Sequence, residues 1–253
     1  MPQVAVVTGG SSGIGAAIAR SLTRRGWTCV LLARGEERLR AVAEELGAEW
    51  EICDVGDRQA VDRTAAAVRE RHPEIALLVN NAGVPGRGGF LGASPEVIEE
   101  VTRTNYLGGV WCLRALLPAL EAAAPSDVVD VVSVAGTVST GAGGAYTASK
   151  HAQLAFSRGA RAELRSRGIR VHTVVPGFVE TPGFPQRKRF SNRFVRSLVA
   201  EPELVAERVV AAVERDRREV FVPRFYRIAP FAQVLAPGLV ARVGGRGARP
   251  SGD

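Results

Sequence analysis

Cysteine is scarce in this chain: Cys29, Cys53 and Cys112 are odd in number, dispersed, and lack the paired spacing of metal ligands. Neither a disulfide framework nor a zinc site is expected, and a reducing compartment, the cytoplasm, fits best. Histidine is equally rare. His72, His151 and His172 are separated and tied to no motif, so no metal site is expected, and His72 before Pro73 reads as exposed. No run of about 18 consecutive apolar residues occurs, so no membrane-spanning helix is expected. Met1-Pro2-Gln3 leads straight into a strand-like segment, without the charged and apolar regions of a signal peptide. Aromatics make up only 6% of the chain, and no basic face with stacking aromatics or a reading motif is found, which argues against a nucleic-acid partner. Trp27, Trp50 and Trp111 read as packing residues.

Lysine is the most informative scarcity. Of 33 basic residues only Lys150 and Lys188 are lysine, so arginine is the default cation and each lysine marks a position where arginine was not used. Net charge is +7, and its placement matters more than its size: residues 1–185 balance at 19 basic and 19 acidic, whereas 186–253 hold 14 basic and 7 acidic. The basic excess is therefore confined to the last quarter.

What is present is ordinary globular composition. The 253 residues are 46% hydrophobic and 23% charged, so a disordered or collagen-like chain is excluded despite 28 glycines. Apolar runs at Val4–Thr8, Thr28–Ala33, Glu49–Asp54, Ile75–Asn80, Val128–Ser133, Arg170–Val175 and Glu219–Val222 read as strands. Between them Gly15–Arg25, Glu36–Leu46, Arg58–Arg71, Pro95–Leu120 (broken near Gly108-Gly109), Tyr146–Arg167 and Glu201–Asp216 carry helical periodicity or good helix formers. Ser94-Pro95-Glu96 combines an N-cap, a first-turn proline and an acid at the positive end of a helix. Alternation of this kind predicts an α/β fold: one doubly wound, Rossmann-like parallel sheet of about seven strands with helices on both faces. No linker or repeat divides residues 1–253, so a single domain is expected. Residues 178–200, rich in Pro, Gly and basic residues, interrupt the rhythm and suit a lid over a substrate. Residues 228–253 begin apolar and end Gly/Arg-rich. They are expected to pack as a helix on the body or a neighbouring subunit, with weak contact to a membrane surface or an acidic carrier as the other reading.

The first strand runs into Thr8-Gly9-Gly10-Ser11-Ser12-Gly13-Ile14-Gly15 and then a helix, which would deliver backbone N–H groups and a helix N-terminus to a pyrophosphate. A plain Gly-rich turn would use the same residues, but strand, glycines and helix together favour the phosphate site. In dinucleotide-binding folds the residue ending the second strand meets the adenosine ribose, where an arginine accommodates a 2′-phosphate. Here it is Arg34, which points to NADP(H) over NAD(H); a solvated arginine opening the next helix is the plain alternative. Asp54-Val55 after the third strand suit the adenine edge, and Asn80-Asn81-Ala82-Gly83 close the fourth. Ser133 ends the fifth strand. Thirteen residues later Tyr146 and Lys150 stand four apart, on one face of a helix. A tyrosine hydroxyl, with pKa about 10, is a poor base near neutrality; lowering it by about 3 units takes roughly 4 kcal/mol. A lysine ammonium can supply that by favouring the phenolate, and the planar arginine group is no equivalent. All these positions fall at the carboxyl ends of the predicted strands, where open α/β sheets bind ligands.

The constellation resembles the short-chain dehydrogenase/reductase family over most of residues 4–223, in TGGSSGIG (Thr8–Gly15), NNAG (Asn80–Gly83), Asn105, Ser133, YTASK (Tyr146–Lys150) and Pro176-Gly177 followed by Thr181. By that resemblance Tyr146 is the catalytic acid/base, Ser133 orients the substrate oxygen, Lys150 binds the nicotinamide ribose and lowers the Tyr146 pKa, and Asn105 supports a water-linked proton relay. The resemblance assigns Thr8, Gly9, Ser11, Ser12, Gly13, Ile14, Gly15, Arg34, Asp54, Val55, Asn81, Ala82 and Gly83 to the cofactor, with Pro176, Gly177 and Thr181 bordering the nicotinamide. Ser12 departs from the basic residue that many NADP-dependent members carry just before the middle glycine, so the NADP reading rests on Arg34. The implied activity is hydride transfer between NADP(H) and a carbonyl or secondary alcohol, in a homodimer or homotetramer. A non-catalytic NADP(H)-binding sensor on the same fold is the alternative. The loops Pro85–Ala93 and Thr137–Gly144 are rich in small residues, which suits room for a bulky apolar substrate and plain loop flexibility equally well.

Overall fold

The computed structural model describes residues 3–86, 89–139, 143–187, 193, 196 and 198–245. Seven parallel strands form one sheet in the order β3-β2-β1-β4-β5-β6-β7, with β1 Val4–Thr8, β2 Thr28–Ala33, β3 Glu49–Ile52, β4 Leu77–Asn80, β5 Ser126–Val131, β6 Ile169–Pro176 and β7 Glu219–Val222. The strand order reverses between β1 and β4. That switch point opens a crevice at the carboxyl ends of the strands.

Helices cover both faces, as parallel strands require. On one face α1 (Gly13–Thr23), α2 (Glu36–Leu46) and α7 (Pro202–Glu214) bury Ile18, Leu22, Leu39, Val205 and Val209 against Val7, Leu31, Val129 and Val174. On the other, α3 (Arg58–Arg71), α5 (Gly108–Ala122) and α6 (Gly144–Leu164) pack Val61, Val68, Leu116, Leu120 and Leu164 against Val6, Leu78, Val128 and Val171. Trp27 and Trp50 lean on the first core and Trp111 on the second, as packing residues.

Local chemistry sets the element ends. Asp57 caps α3 by accepting from the Gln59 amide at 2.9 Å. Pro95 opens α4 (Pro95–Thr102), but Ser94 makes no side-chain bond to the backbone at that cap. The long helix expected over 95–120 is divided: α4 passes into a π-helical turn, Arg103–Leu107, before α5 begins at Gly108. Asn105 lies in this turn, where its side chain can leave the helix face to reach a neighbour. The fifth strand sits two residues earlier than its apolar run implied. Its first residues are polar but paired: Ser126 donates to the Leu120 carbonyl at 2.7 Å, and Asp127 meets Arg170 and His172.

The end of the chain is helical, as expected. After a 3-10 turn at Arg224–Ile228 come α8 (Ala229–Leu235) and α9 (Pro237–Gly245). The body of this chain covers them only in part, leaving Phe231 68%, Leu235 83% and Leu239 62% exposed. Residues 246–253 lie outside the described part, as do Lys188 and most of 189–197 in the expected lid.

Candidate functional site

Thr8, at the end of β1, ties the sheet together at the switch point. Its hydroxyl donates to the Val79 carbonyl at 3.2 Å and accepts from the amides of Asn81 and Ala82 at 2.9 and 3.0 Å. Asn81 returns a bond from Nδ2 to the Thr8 carbonyl at 3.0 Å. Thr8 is buried and its bonds are all internal, so it shapes the crevice from beneath. The turn that follows brings backbone against backbone: a Cβ on Gly15 would come within 2.2 Å of the Gly9 carbonyl oxygen. Only glycine permits that approach, and the resulting cradle at the N-terminus of α1 suits a pyrophosphate.

From this turn a cleft of about 1380 Å³ runs along the strand ends. Of the cofactor residues expected from sequence, Gly9, Ser11, Ser12, Ile14, Arg34, Asp54, Val55, Asn81, Ala82, Gly83, Pro176, Gly177 and Thr181 line it, together with Ser133, Tyr146 and Lys150. Thr8, Gly13, Gly15 and Asn105 do not. Gly13 and Gly15 serve the turn, and Asn105 is 1% exposed. Its amide is engaged by the Val84 amide at 2.8 Å, the Val84 carbonyl at 3.1 Å and Ser149 Oγ at 3.1 Å. Asn105 therefore fixes the segment after β4 to α6.

At one end of the cleft Arg34, just past β2, pairs with Glu100 of α4 at 3.2 Å. Arg38, four residues on, lines the same cleft. Sequence reading missed this second cation; its place in the first turn of α2, four residues after Arg34, was the available signal. Asp54 Oδ1 accepts from the Gly56 amide at 2.9 Å, shaping the turn as it borders the cleft.

At the other end Ser133 caps a 3-10 turn, Val134–Gly136, through Ala135 N–H at 3.1 Å. The Tyr146 hydroxyl is pushed above its usual range by burial, against the pull of its hydrogen bond with Ser133. Lys150 is 4% exposed. Its Nζ donates to the Val131 carbonyl at 3.1 Å and Gln153 Oε1 at 2.7 Å, and lies 5.9 Å from the Tyr146 ring centre. Burial brings its pKa down to about 7, with the charge of Asp130 acting in the opposite direction. Gln153 and Asp130 were not read from sequence as part of this site.

Around Tyr146 the walls are apolar. Phe184 packs against its ring in a tilted arrangement at 5.5 Å between centroids, and Val134, Val138, Phe178 and Pro182 line the same cleft. Tyr226, from the C-terminal part, covers the back of Gly177 so closely that a Cβ there would overlap its ring. Within 178–200 the described residues make two short bridges, Val179 to Ala200 and Thr181 to Phe184. Parts of the loops 85–93 and 137–144 fall outside the described residues.

His72 and His172 each meet partners within the fold. His72, expected to be exposed, is partly buried and meets Glu49 at 2.8 Å. His172 is fully buried between Asp127 at 2.7 Å and the Arg217 carbonyl at 2.9 Å. Among the described residues no cluster of three or more potential metal ligands occurs, and no helix is long and apolar enough to cross a membrane.

Comparison with known proteins places this geometry. A protein of Streptomyces coelicolor, assigned by name as a ketoacyl reductase, is 33% identical over 253 residues covering 97% of each chain. Actinorhodin polyketide ketoreductase, in a variant solved with NADPH, superposes with a TM-score of 0.80 at 32% identity, over 87% of this chain and 95% of that one. A short chain dehydrogenase/reductase from Burkholderia phymatum, solved with NAD, gives 0.80 at 27% identity over 92% of each. The family model for short chain dehydrogenases matches residues 3–191. The chain belongs to the short-chain dehydrogenase/reductase family.

Proposed function

We propose that the protein is an NADP(H)-dependent oxidoreductase that reduces a carbonyl to a secondary alcohol, with Tyr146 as the proton donor. The observation that carries this reading is the assembly of Ser133, Tyr146 and Lys150 in the cleft that Arg34 and Arg38 also line. NADP(H), when bound, supplies or accepts the hydride. The Gly9–Gly15 cradle would hold its pyrophosphate, Arg34 and Arg38 its 2′-phosphate, and Asp54-Val55 its adenine.

The chain's own groups then manage a proton and an oxygen. Ser133 Oγ orients the substrate carbonyl against the Tyr146 hydroxyl. Tyr146 gives its proton to that oxygen as negative charge develops there. The buried Lys150 ammonium stabilises the phenolate left behind, offsetting the burial that otherwise keeps the hydroxyl weakly acidic. Apolar walls from Val134, Val138, Phe178 and Phe184 exclude water and favour an apolar substrate body. The polyketide and ketoacyl reductases among its relatives support a ketone on a bulky or chain-like substrate.

A screen of ketones, including β-ketoacyl thioesters and cyclic ketones, with NADPH and NADH followed at the reduced-cofactor absorbance tests this. Turnover favouring NADPH by at least about tenfold is expected, since one charge-assisted hydrogen bond alone is worth about 1.5–3 kcal/mol. Tight NADPH binding with no turnover on any ketone or alcohol would instead assign the chain to cofactor sensing.

A further inference from the structure

Helix α6 lies on the sheet, and the side of such a helix that faces the strands is ordinarily apolar. Here Lys150, Gln153, Ser157 and Arg161 stand at i, i+3, i+7 and i+11, one polar stripe, and the first three are at most 4% exposed. Opposite them are Asn80 of β4, Asp130 of β5 and Thr173 of β6, all buried. The stripe is hydrogen-bonded along its length. Ser157 Oγ and Thr173 Oγ1 are 2.8 Å apart, and Arg161 donates to Thr173 Oγ1 at 3.0 Å and the Val171 carbonyl at 2.8 Å.

Two oxygens at its centre stand out. Asp130 Oδ1 accepts from Asn80 Nδ2 at 3.0 Å, but Asp130 Oδ2 and Asn80 Oδ1 are buried without a partner. Lys150 poses the complementary problem: both acceptors of its ammonium, the Val131 carbonyl and Gln153 Oε1, are neutral. A buried ammonium needs a counter-charge. Among the described residues the buried carboxylates are Asp127 and Asp130. Asp127 is taken by Arg170 and His172. Asp130 remains, adjacent in sequence to the residue whose carbonyl holds Lys150.

We propose that Asp130 is a positioning residue for Lys150, its ionised carboxylate keeping the ammonium charged beneath the cleft and so maintaining the acid strength of Tyr146. The last step rests on the role given to Lys150 above. Burial pushes Asp130 up, opposed by hydrogen bonding to Asn80 and Ser157 and then by the charges of Lys150 and Arg161; burial pushes Lys150 down, opposed by the charge of Asp130. The other groups facing the pair are Asn80 from β4, Thr173 from β6, and Gln153, Ser157, Arg161 and the Tyr146 ring from α6. Around Arg161 stand Arg158, Arg218 and Glu219.

The scarcity of lysine makes the pair directly observable. With [13Cε]lysine the NMR spectrum holds two side-chain signals, and that of Lys150 is identified by its loss in Lys150→Arg. Asp130→Asn removes the charge at nearly constant shape, and the orphaned Asn80 Oδ1 offers an acceptor to the new amide. In the cofactor-free protein the Lys150 midpoint, near 7 in wild type, is expected to fall by about one pH unit or more, a roughly tenfold loss of proton affinity. The alkaline limb of kcat/KM should move down with it, a displacement that a purely structural role would not produce. An unchanged Lys150 midpoint overturns the proposal, because it means that Asp130 is neutral.

Should Asp130→Asn fail to fold, Lys150→Met with [13Cγ]aspartate gives the reciprocal measurement. The buried carboxyl must then titrate higher than in wild type, and no change overturns the coupling. Neither titration needs turnover: a wild-type protein that shows the coupling yet reduces no ketone supports the Asp130–Lys150 pair and overturns the enzyme reading alone.

Discussion

The guanidinium of Arg34 lies 3.2 Å from the carboxylate of Glu100, joining the end of β2 to α4 across 66 residues of sequence. Both side chains are about half exposed, so the pair itself adds little stability. Its importance is competitive. A 2′-phosphate that binds Arg34 must share it with Glu100 or displace that carboxylate.

Arg34→Asp is therefore expected to weaken NADPH binding roughly 10- to 150-fold, the equivalent of one charge-assisted bond of about 1.5–3 kcal/mol. Glu100→Gln should act in the opposite direction and tighten NADPH severalfold while leaving NADH unchanged. Fluorescence titration with both cofactors checks the pair. Unchanged affinities in both variants would leave Arg34 a surface residue.

Thr8 makes a second checkable claim, this one about stability. Thr8→Val keeps the shape but leaves the amides of Asn81 and Ala82 without their acceptor. An unmet buried hydrogen-bonding group costs about 1–3 kcal/mol; with both amides partly buried, a loss of about 2 kcal/mol is expected in urea unfolding. A change below about 0.5 kcal/mol would show that water replaces the hydroxyl.

Tyr146→Phe removes the proposed proton donor and keeps the ring against Phe184. Turnover should drop by at least about 100-fold with NADPH affinity nearly constant. Ser133→Ala, which removes the group proposed to orient the oxygen, should lower kcat by about 100- to 1000-fold. Retention of more than a few per cent of activity in the Phe variant would move the acid/base role to another group.

Lys150→Arg preserves charge but not fit. The ammonium sits between the Val131 carbonyl and Gln153 with 4% exposure, a space shaped for a compact group. Severe loss of kcat is expected at every pH. Near-normal activity would show that charge alone suffices.

The parts of this molecule that sequence made legible share one property: their cause is local. β1, β2 and β7, with α2 and α3, begin and end where the apolar runs and helical periods do, because flanking glycines and polar residues fix those limits. Many of the cleft residues were legible too, since they follow the ends of strands, and Tyr146 and Lys150 were legible from their spacing on one helix. What escaped depends on partners far apart in the chain. Ser126 and Asp127 read as loop residues until Leu120, Arg170 and His172 are seen to complete them inside the sheet. Asn105 was recognisable as a polar residue in a helix, but the π-helical turn that aims it at Val84 was not. Asp130 looked like an acid in a strand, and only α6, brought against it by the βα crossover, makes it a partner for Lys150.

The C-terminal segment shows the same limit in reverse, because its apolar character was plain and its burial was not. Ile228, just before α8, and Phe231, Leu235 and Leu239 along α8 and α9 are each more than 60% exposed, a larger apolar face than a monomer ordinarily leaves to water. The segment is anchored beside the cleft, where Gln233 Oε1 accepts from the Ser139 amide at 2.9 Å. Burying four such side chains would contribute about 1.5–3 kcal/mol each, enough to drive pairing between copies. Pro230 and Pro237 limit any long helix that would lie along a lipid surface. A chain ending at Arg227 is thus expected to show a lower assembly mass in light scattering than the full chain, and neither should float with anionic vesicles. Salt-sensitive flotation that requires the segment, with assembly mass unchanged on truncation, would assign this face to lipid, whose headgroups the arginines of the basic last quarter would then meet.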